Sequence, residues 1–462
     1  MFSLADAIIN EHIAGVEQML RMGVHVNELD EYGFTPLIEA AIVDNIEIAK
    51  LLLARGAFPD LQDVTGGTAL HWATENNNLA FCRLLLEHKA NPNAYNFAGQ
   101  PVLVMPVLRE QSALRKLLID HGANLIFAQD YINVKLLGHM YELLGPALIV
   151  SPDNQFVEVD FEGFYLEVTL GVISDALAQF QNHFAARKLQ RYSSITKLIV
   201  NAMQRAEQLI KFQQYRVDLK KVQTHVDELL QCDPMIIPVG YEGHAITFVV
   251  SGDLWVKCDR REDSRLYDNV MFYRITRMEN LTKDFLKSLI YIKQNDEFIN
   301  HEIDRVLGLE PITELKVEAQ ISGNCSWANV EAAIPALFFL IMSQLNPENK
   351  TISYYKTLAL NYFHRFRDWN KERALHYCIQ TFEKGDALRK ASKAEMLAAI
   401  LFQRSNMDNQ GDQTRLRQIM HLLIHSPYEY ILKNYLRTYH YNNHTEEGKI
   451  FAMLLEDYGY RK

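Results

Sequence analysis

The chain has 462 residues, a length that predicts about three domains. Its 47 Lys and Arg against 57 Asp and Glu give a formal charge of −10, and without any long basic run this excludes a nucleic-acid backbone as the main ligand. Five cysteines (Cys82, Cys232, Cys258, Cys325, Cys378) are odd in number and lack C-x-x-C spacing, which argues against a disulfide framework or structural zinc and for a reducing compartment; no metal or cofactor is expected.

Met1-Phe2-Ser3-Leu4-Ala5-Asp6 runs directly into a repeated unit, so no conventional secretion signal is expected ahead of it. Asn27, Asp60 and Asn93 stand 33 residues apart, and the same step carries Gly23 to Gly56, Lys89 and Gly122. Thr35-Pro36-Leu37 returns as Thr68-Ala69-Leu70 and as Pro101-Val102-Leu103, and Leu51-Leu52-Leu53 as Leu84-Leu85-Leu86 and Leu117-Leu118. Each unit reads as a short helix opened by Thr-Pro-Leu, a second helix, and a projecting finger. Proline suits the first helical turn because its missing N–H would go unpaired there anyway.

These positions resemble the ankyrin repeat. The resemblance implies stacked helix pairs with a concave protein-binding face, and it makes His71 an internal hydrogen-bonding residue, not a metal ligand. Tyr32, Val64, Thr65, Asn96 and Phe97 align with finger tips and are the expected partner contacts. Where ankyrin repeats usually place Gly between helices, this chain has His12, Asn45, Asn78 and Gln111, of which Asn best tolerates a left-handed turn.

Past Asp130 the period fades. Residues 156–170 alternate enough for two short strands around Gly163, and residues 172–231 carry the helical spacing of a hairpin or long segment. Asp233-Pro234 and Pro238-Val239-Gly240 break the pattern, and residues 245–259 read as two adjoining strands. The basic pairs Lys220-Lys221 and Arg260-Arg261 are expected on solvated faces. The apolar run Ile334–Met342 is too short to span a bilayer and reads as a buried helix, so no membrane contact is expected. Helix returns over 346–462, interrupted by a loop at Asp408-Asn409-Gln410-Gly411-Asp412.

Two segments carry the chemistry. With Ser251-Gly252 as a two-residue loop, Val250 pairs with Asp253, and stepping outward brings His244 opposite Asp259 at a Cβ separation of about 4.5–5.5 Å. Such a carboxylate fixes an imidazole's orientation and tautomer. Asp253 would lie roughly 20 Å away along the strand. In Gln320-Ile321-Ser322-Gly323-Asn324-Cys325, a Gly-Asn loop precedes helical spacing from Cys325 onward, with Pro335 a predicted kink. A helix start and an imidazolium both favour thiolate over thiol, and Gln320 has an amide to offer a developing oxyanion. The other four cysteines are expected to be inert packing.

These residues resemble the papain-like cysteine proteases, in which a Gln and a Cys at a helix start meet a His and an Asn or Asp on adjoining strands. Trp327 stands two places after Cys325 instead of next to it, and the chain order His, Asp, Cys implies a circular permutation. Together with the repeats, the whole chain resembles a Legionella family of type IV secreted effectors that join ankyrin repeats to a cysteine-protease-like domain. That implies ankyrin repeats over 1–130, a permuted papain-like α/β domain over 131–345 with its helical insert at 172–231, and a helical region over 346–462. It further implies export into a eukaryotic host cell, capture of a host protein by the repeats, and a protein or peptide substrate for Cys325, His244 and Asp259. An inactive protease fold kept as a binding scaffold, or an acyltransferase or deamidase using the same triad, stay open beside it.

Overall fold

The computed structural model describes residues 3–212, 219–241, 243–261, 270–321, 323–345, 351–404 and 410–460. The chain forms two compact units: one gathers Met1–Lys135 and Pro146–Asp160, the other Leu136–Gly145, Phe161–Gln213 and Asp218–Lys462.

In the first unit four helix pairs follow the 33-residue period: Leu4–Ile9 with Ile13–Arg21, Pro36–Ile42 with Ile46–Ala54, Ala69–Glu75 with Leu79–Glu87, and Val104–Leu108 with Ser112–Asp120. Thr35 caps the N–H of Ile38 at 3.2 Å and Pro36 takes the first helical position, as its chemistry predicts. The residues between helices act differently from expectation. His12, Asn45, Asn78 and Gln111 all have negative φ, and the left-handed turn falls one residue earlier, at Glu11, Asp44, Asn77 and Glu110. Asn45 and Asn78 are N-caps instead, accepting from Ile48 and Phe81 at 3.1 and 2.9 Å, which satisfies donors that a helix start leaves open.

Successive repeats are sewn together by the periodic Asn. Asn27 donates to the carbonyl of Gly56 at 3.1 Å and accepts from the N–H of Phe58 at 2.8 Å, and Asn93 does the same with Gly122 and Asn124 at 2.9 and 2.7 Å. Asp60, between them, accepts from Asn91 at 2.8 Å. The fingers stack on glycines with positive φ: a Cβ on Gly33 would strike Val64, one on Gly66 would strike Phe97, and one on Gly99 would strike the carbonyl of Glu158. That carbonyl belongs to an antiparallel hairpin, β1 (Pro146–Val150) with β2 (Phe156–Asp160), which occupies the place of a further finger. The strands expected over 156–170 therefore fall earlier, over 146–160. The alternation around Gly163 ends in a left-handed turn that leads into the helix Leu166–Asn182.

The second unit is built on a five-stranded antiparallel sheet in sequence order: β3 (Met235–Tyr241), β4 (His244–Ser251), β5 (Leu254–Cys258), β6 (Val270–Ile275) and β7 (Leu309–Leu315). Pro238 lies inside β3, where the sequence suggested a break. A residue without an N–H is tolerated there because β3 is an edge strand. The helix Cys325–Leu345 packs on β4 and β5 and runs on through Pro335. Over Cys325–Gln344 it is long and apolar enough to cross a membrane, beyond the shorter run read from sequence, but 89% of its most apolar stretch is buried in the protein. Phe272 meets Phe339 at 5.0 Å between ring centroids, and Phe338 stacks on Tyr362 at 4.7 Å, joining sheet, helix and the long helix Ile352–Lys384. Helices Ser193–Lys211, Leu219–Leu229, Lys283–Tyr291, Ala387–Gln403, Gln410–Leu423, Glu429–Tyr435 and Glu446–Asp457 are among the others in the unit. The expected loop at 408–412 is partly helix: Gln410–Asp412 open Gln410–Leu423, where Asp412 faces the positive end of the dipole, while Asp408 and Asn409 lie outside the described residues.

Candidate active site

The turn between β4 and β5 is Gly252-Asp253, closed by Ser251 opposite Leu254. The expected loop, Ser251-Gly252, is thus displaced by one residue, since Gly252 with φ +56° takes the first turn position. The ladder shifts accordingly and ends at Thr247 opposite Cys258, so Asp259 lies diagonal to His244 and not directly across. Because side chains alternate with period two, both still face the same side. His244 Nε2 lies 3.1 Å from Asp259 Oδ1. Asp253 is at the far turn, exposed and paired with Arg274 at 3.5 Å.

With Nε2 committed to Asp259, Nδ1 is the nitrogen left for Cys325, which is close enough for each side chain to shift the other's titration. Burial lowers the affinity of His244 for its proton, but the bond to Asp259 and the nearby Cys325 outweigh it and hold the imidazole up at about 9. Burial also favours the neutral thiol of Cys325, yet His244 and the backbone N–H groups of Ala245 and Ser326 bring it below its ordinary value. Asp259, though buried, is held at about 2 by His244 and by Arg261, which reaches Oδ2 at 2.9 and 3.1 Å. The three side chains are set in the order carboxylate, imidazole, thiol, and His244 biases Cys325 toward losing its proton.

Cys325 is the first residue of its helix, and the residues before it are fixed by groups that the sequence alone did not single out. Asn324 receives Nδ1 of His139 at 2.6 Å on its Oδ1 and returns its amide to the His139 carbonyl at 3.3 Å. The His139 ring lies parallel to Trp327 at 6.0 Å. One turn after the thiol, the fully buried Asn329 accepts the N–H of Arg260 at 2.8 Å and donates to the carbonyl of Ala245 at 2.6 Å. A polar residue four places after Cys325 in an otherwise apolar stripe was the available signal.

Gln320 is joined to the same strand end, its backbone N–H donating to the carbonyl of Arg260 at 2.8 Å, and its side-chain Oε1 is buried without a hydrogen-bond partner. Arg260 itself is fully buried against Glu142 at 3.0 Å, and not on a solvated face as its charge suggested, while Arg261 is partly exposed. Among the other cysteines, Cys82, Cys258 and Cys378 are buried. Burial pushes Cys82 up to about 12 and Cys258 higher still. Cys232 is half-buried, so it is not the core residue expected.

At the finger tips Tyr32, Val64 and Phe97 are exposed at 62%, 63% and 72%. Thr65 and Asn96 spend their side chains within their own fingers, Thr65 donating to Asp63 at 2.6 Å and Asn96 accepting from Ala98 and Gln100, while the Thr65 carbonyl takes the N–H of Phe97 in the next finger. Beside them the second and third fingers and the β1–β2 hairpin wall a groove of about 590 Å3. His71 bonds Thr68 at both backbone and hydroxyl and approaches the carbonyl of Gln100 at 3.3 Å. It is an internal strut.

The repeats, their fingers and the sheet unit define an ankyrin-repeat protein carrying a second, mixed helix-and-sheet unit. The ankyrin repeat family matches in three copies, over residues 4–96 and 56–128. No curated protein matches the chain. A solved structure described as "Structure of Legionella Effector AnkH" is similar along the whole length, at 40% identity over 99% of this chain and 98% of that one, with a TM-score of 0.84. The chain belongs to the AnkH family.

Proposed function

We propose that this chain is a bacterial effector, delivered into a eukaryotic host cell by type IV secretion, that captures a host protein on its ankyrin repeats and acts on a protein or peptide as a papain-like cysteine hydrolase. Its kinship with a Legionella effector over nearly the full chain supports the first part. The relay from Asp259 through His244 to Cys325 carries the second. In this reading Cys325 Sγ attacks the carbonyl carbon, Gln320 donates to the developing oxyanion, and His244 hands its proton to the leaving amine. Water, activated by the now neutral His244, resolves the thioester. Asp259 holds the imidazole in the tautomer that keeps Nδ1 toward sulfur.

A peptidyl vinyl sulfone applied to the full chain near neutral pH tests the reading by intact mass and peptide mapping. A single adduct at Cys325, lost in Cys325→Ala and slowed at least tenfold in His244→Ala, is expected. Below pH 8 the rate should rise less steeply than the tenfold per unit of an ordinary thiol titrating near 8.5. Preferential labelling of the half-buried Cys232, or indifference to His244→Ala, would leave a binding scaffold as the better account.

A further inference from the structure

Away from the thiol, the helices Ile352–Lys384, Ala387–Gln403 and Gln410–Leu423 enclose, with Tyr141 and Glu142, a cavity of about 380 Å3. Its wall is almost entirely polar, and its charges are unevenly matched. Glu142 is shared between Arg260 at 3.0 Å and Arg367 at 3.1 Å; Arg367 also meets Glu331 at 3.2 Å, and Arg415 meets Asp412 at 2.6 Å. Arg404 spends its guanidinium on a neutral acceptor, the carbonyl of Glu142 at 3.0 Å. Lys371 lies with Nζ 5.6 Å from the Tyr141 ring centre while its carbonyl accepts the Tyr141 hydroxyl at 3.0 Å. Among the described residues neither Lys371 nor Arg404 has an ion-pair partner.

The two remaining acids of the cavity, Glu318 and Asp368, have side chains 72% and 53% exposed, where water screens them. Among the described residues they reach Arg367 and Arg415 from the solvent side, at 3.4 and 3.5 Å, so every acid of the lining is engaged by another arginine and Lys371 and Arg404 are left without a direct counter-charge. An unpaired cation kept out of water is unfavourable unless an anion joins it. Burial, then the neighbouring Arg367, push Lys371 down to about 8, the behaviour of an amine short of a counter-charge. A planar guanidinium beside a compact ammonium suits a tetrahedral oxyanion, and a phosphate monoester near neutral pH carries close to two negative charges. The volume suits a small molecule, not a strand of nucleic acid.

We propose that this cavity binds the phosphate group of a small phosphorylated molecule, with Lys371 and Arg404 as its charge partners. The site is separate from Cys325 and does not depend on the hydrolase reading. Calorimetry and thermal unfolding of the full chain, with inorganic phosphate, glucose 6-phosphate, adenosine monophosphate and inositol hexakisphosphate as probes, test it against chloride at matched ionic strength. Saturable one-to-one binding and a higher Tm with at least one probe are expected. Phosphate alone binding as well as the esters would assign free phosphate as the occupant, and preference for one ester would name the attached group. Lys371→Gln, which removes no hydrogen bond or ion pair, should weaken binding at least tenfold without lowering the Tm of the free protein. Arg404→Gln should weaken it similarly. No saturable binding of any probe, or unchanged affinity in Lys371→Gln, would overturn the assignment.

Discussion

The backbone N–H of Arg260 donates to Asn329 Oδ1 across 2.8 Å, tying the residue after the carboxylate to the helix that begins with the thiol. The other half of the Asn329 amide holds the residue after His244. One side chain thus sets the spacing of all three members of the relay. Asn329→Ala would leave the N–H of Arg260 and the carbonyl of Ala245 buried without this partner, at a cost of about 1–3 kcal/mol for each group. Denaturant unfolding should show that loss, and Cys325 alkylation should lose its shallow pH dependence. Asn329→Asp keeps the acceptor and gives up the donor, so it should restore part of the stability and little of the thiol profile.

Asp259 and Asp253 make opposite predictions. Asp259 is held at about 2 from 3.8, so its stabilisation is complete above the unfolded value and is lost as pH falls through about 2. His244 is raised to about 9 from 6.5, so its share is complete below 6.5 and is lost as pH rises through about 9. Between about 4 and 6.5 both are charged, and the interaction they share contributes on the order of 2 kcal/mol, counted once for the pair. Asp259→Asn should therefore destabilise most in that window, by chemical unfolding at stepped pH, and slow Cys325 alkylation tenfold or more at pH 7. Asp253→Asn, at the distant turn, should change neither.

A buried acid sits in the second helix pair where the third has an indole. Trp72 donates Nε1 to Asp63 at 2.9 Å, and 33 residues earlier Glu39 faces Asp30 instead. Only a protonated Glu39 can donate, and burial, then Asp30, raise it to about 7. A raised acid stabilises below its unfolded value of 4.5 and loses that contribution as pH rises through about 7, approaching roughly 3 kcal/mol well above it. Hydrogen exchange of the first finger should accelerate between about pH 4.5 and 7 beyond its intrinsic dependence. Glu39→Gln, a donor at every pH, should abolish that excess.

The exposed tips Tyr32 and Phe97 are the proposed anchors for a host protein. Aromatic anchors are often worth about 2 kcal/mol or more, so replacing both with Ala should lower capture affinity tenfold or more. Capture from host lysate should survive Cys325→Ala. Undiminished capture by the double variant would move the binding face elsewhere, the groove beside β2 being the next place to test.

The repeat was legible because its signals are local: a cap, a proline and a glycine recur at fixed offsets whatever the surroundings. The pairing of His244 with Asp259 was legible for a related reason, since alternation puts both on one face whether the turn begins at Ser251 or at Gly252. A slip of the turn by one residue moves the partner by two, and parity survives. Residues whose roles depend on distant packing were not legible. His139 lies 185 positions from Asn324, and nothing near it in the sequence marks that pairing. Arg260 looked like surface charge because its partner, Glu142, is 118 residues away. The strands β3, β6 and β7 were missed for the same reason, their pairing being set by neighbours across the sheet.

The stitching of the repeats also sets how the stack should come apart. Asn27 and Asn93 each make two bonds across their junctions, whereas Asp60 accepts one and has no amide to donate. The left-handed position it would serve is Lys89, at φ +71°, where the other three repeats have glycine. In a linear array, stability is a sum of unit and nearest-neighbour terms, and one weak coupling divides the array into blocks. The seam between the second and third fingers escapes this, because the N–H of Phe97 on the Thr65 carbonyl at 2.9 Å and Gln62 on the Tyr95 carbonyl at 3.3 Å make up for the missing amide, and the repeats should open as one cooperative block.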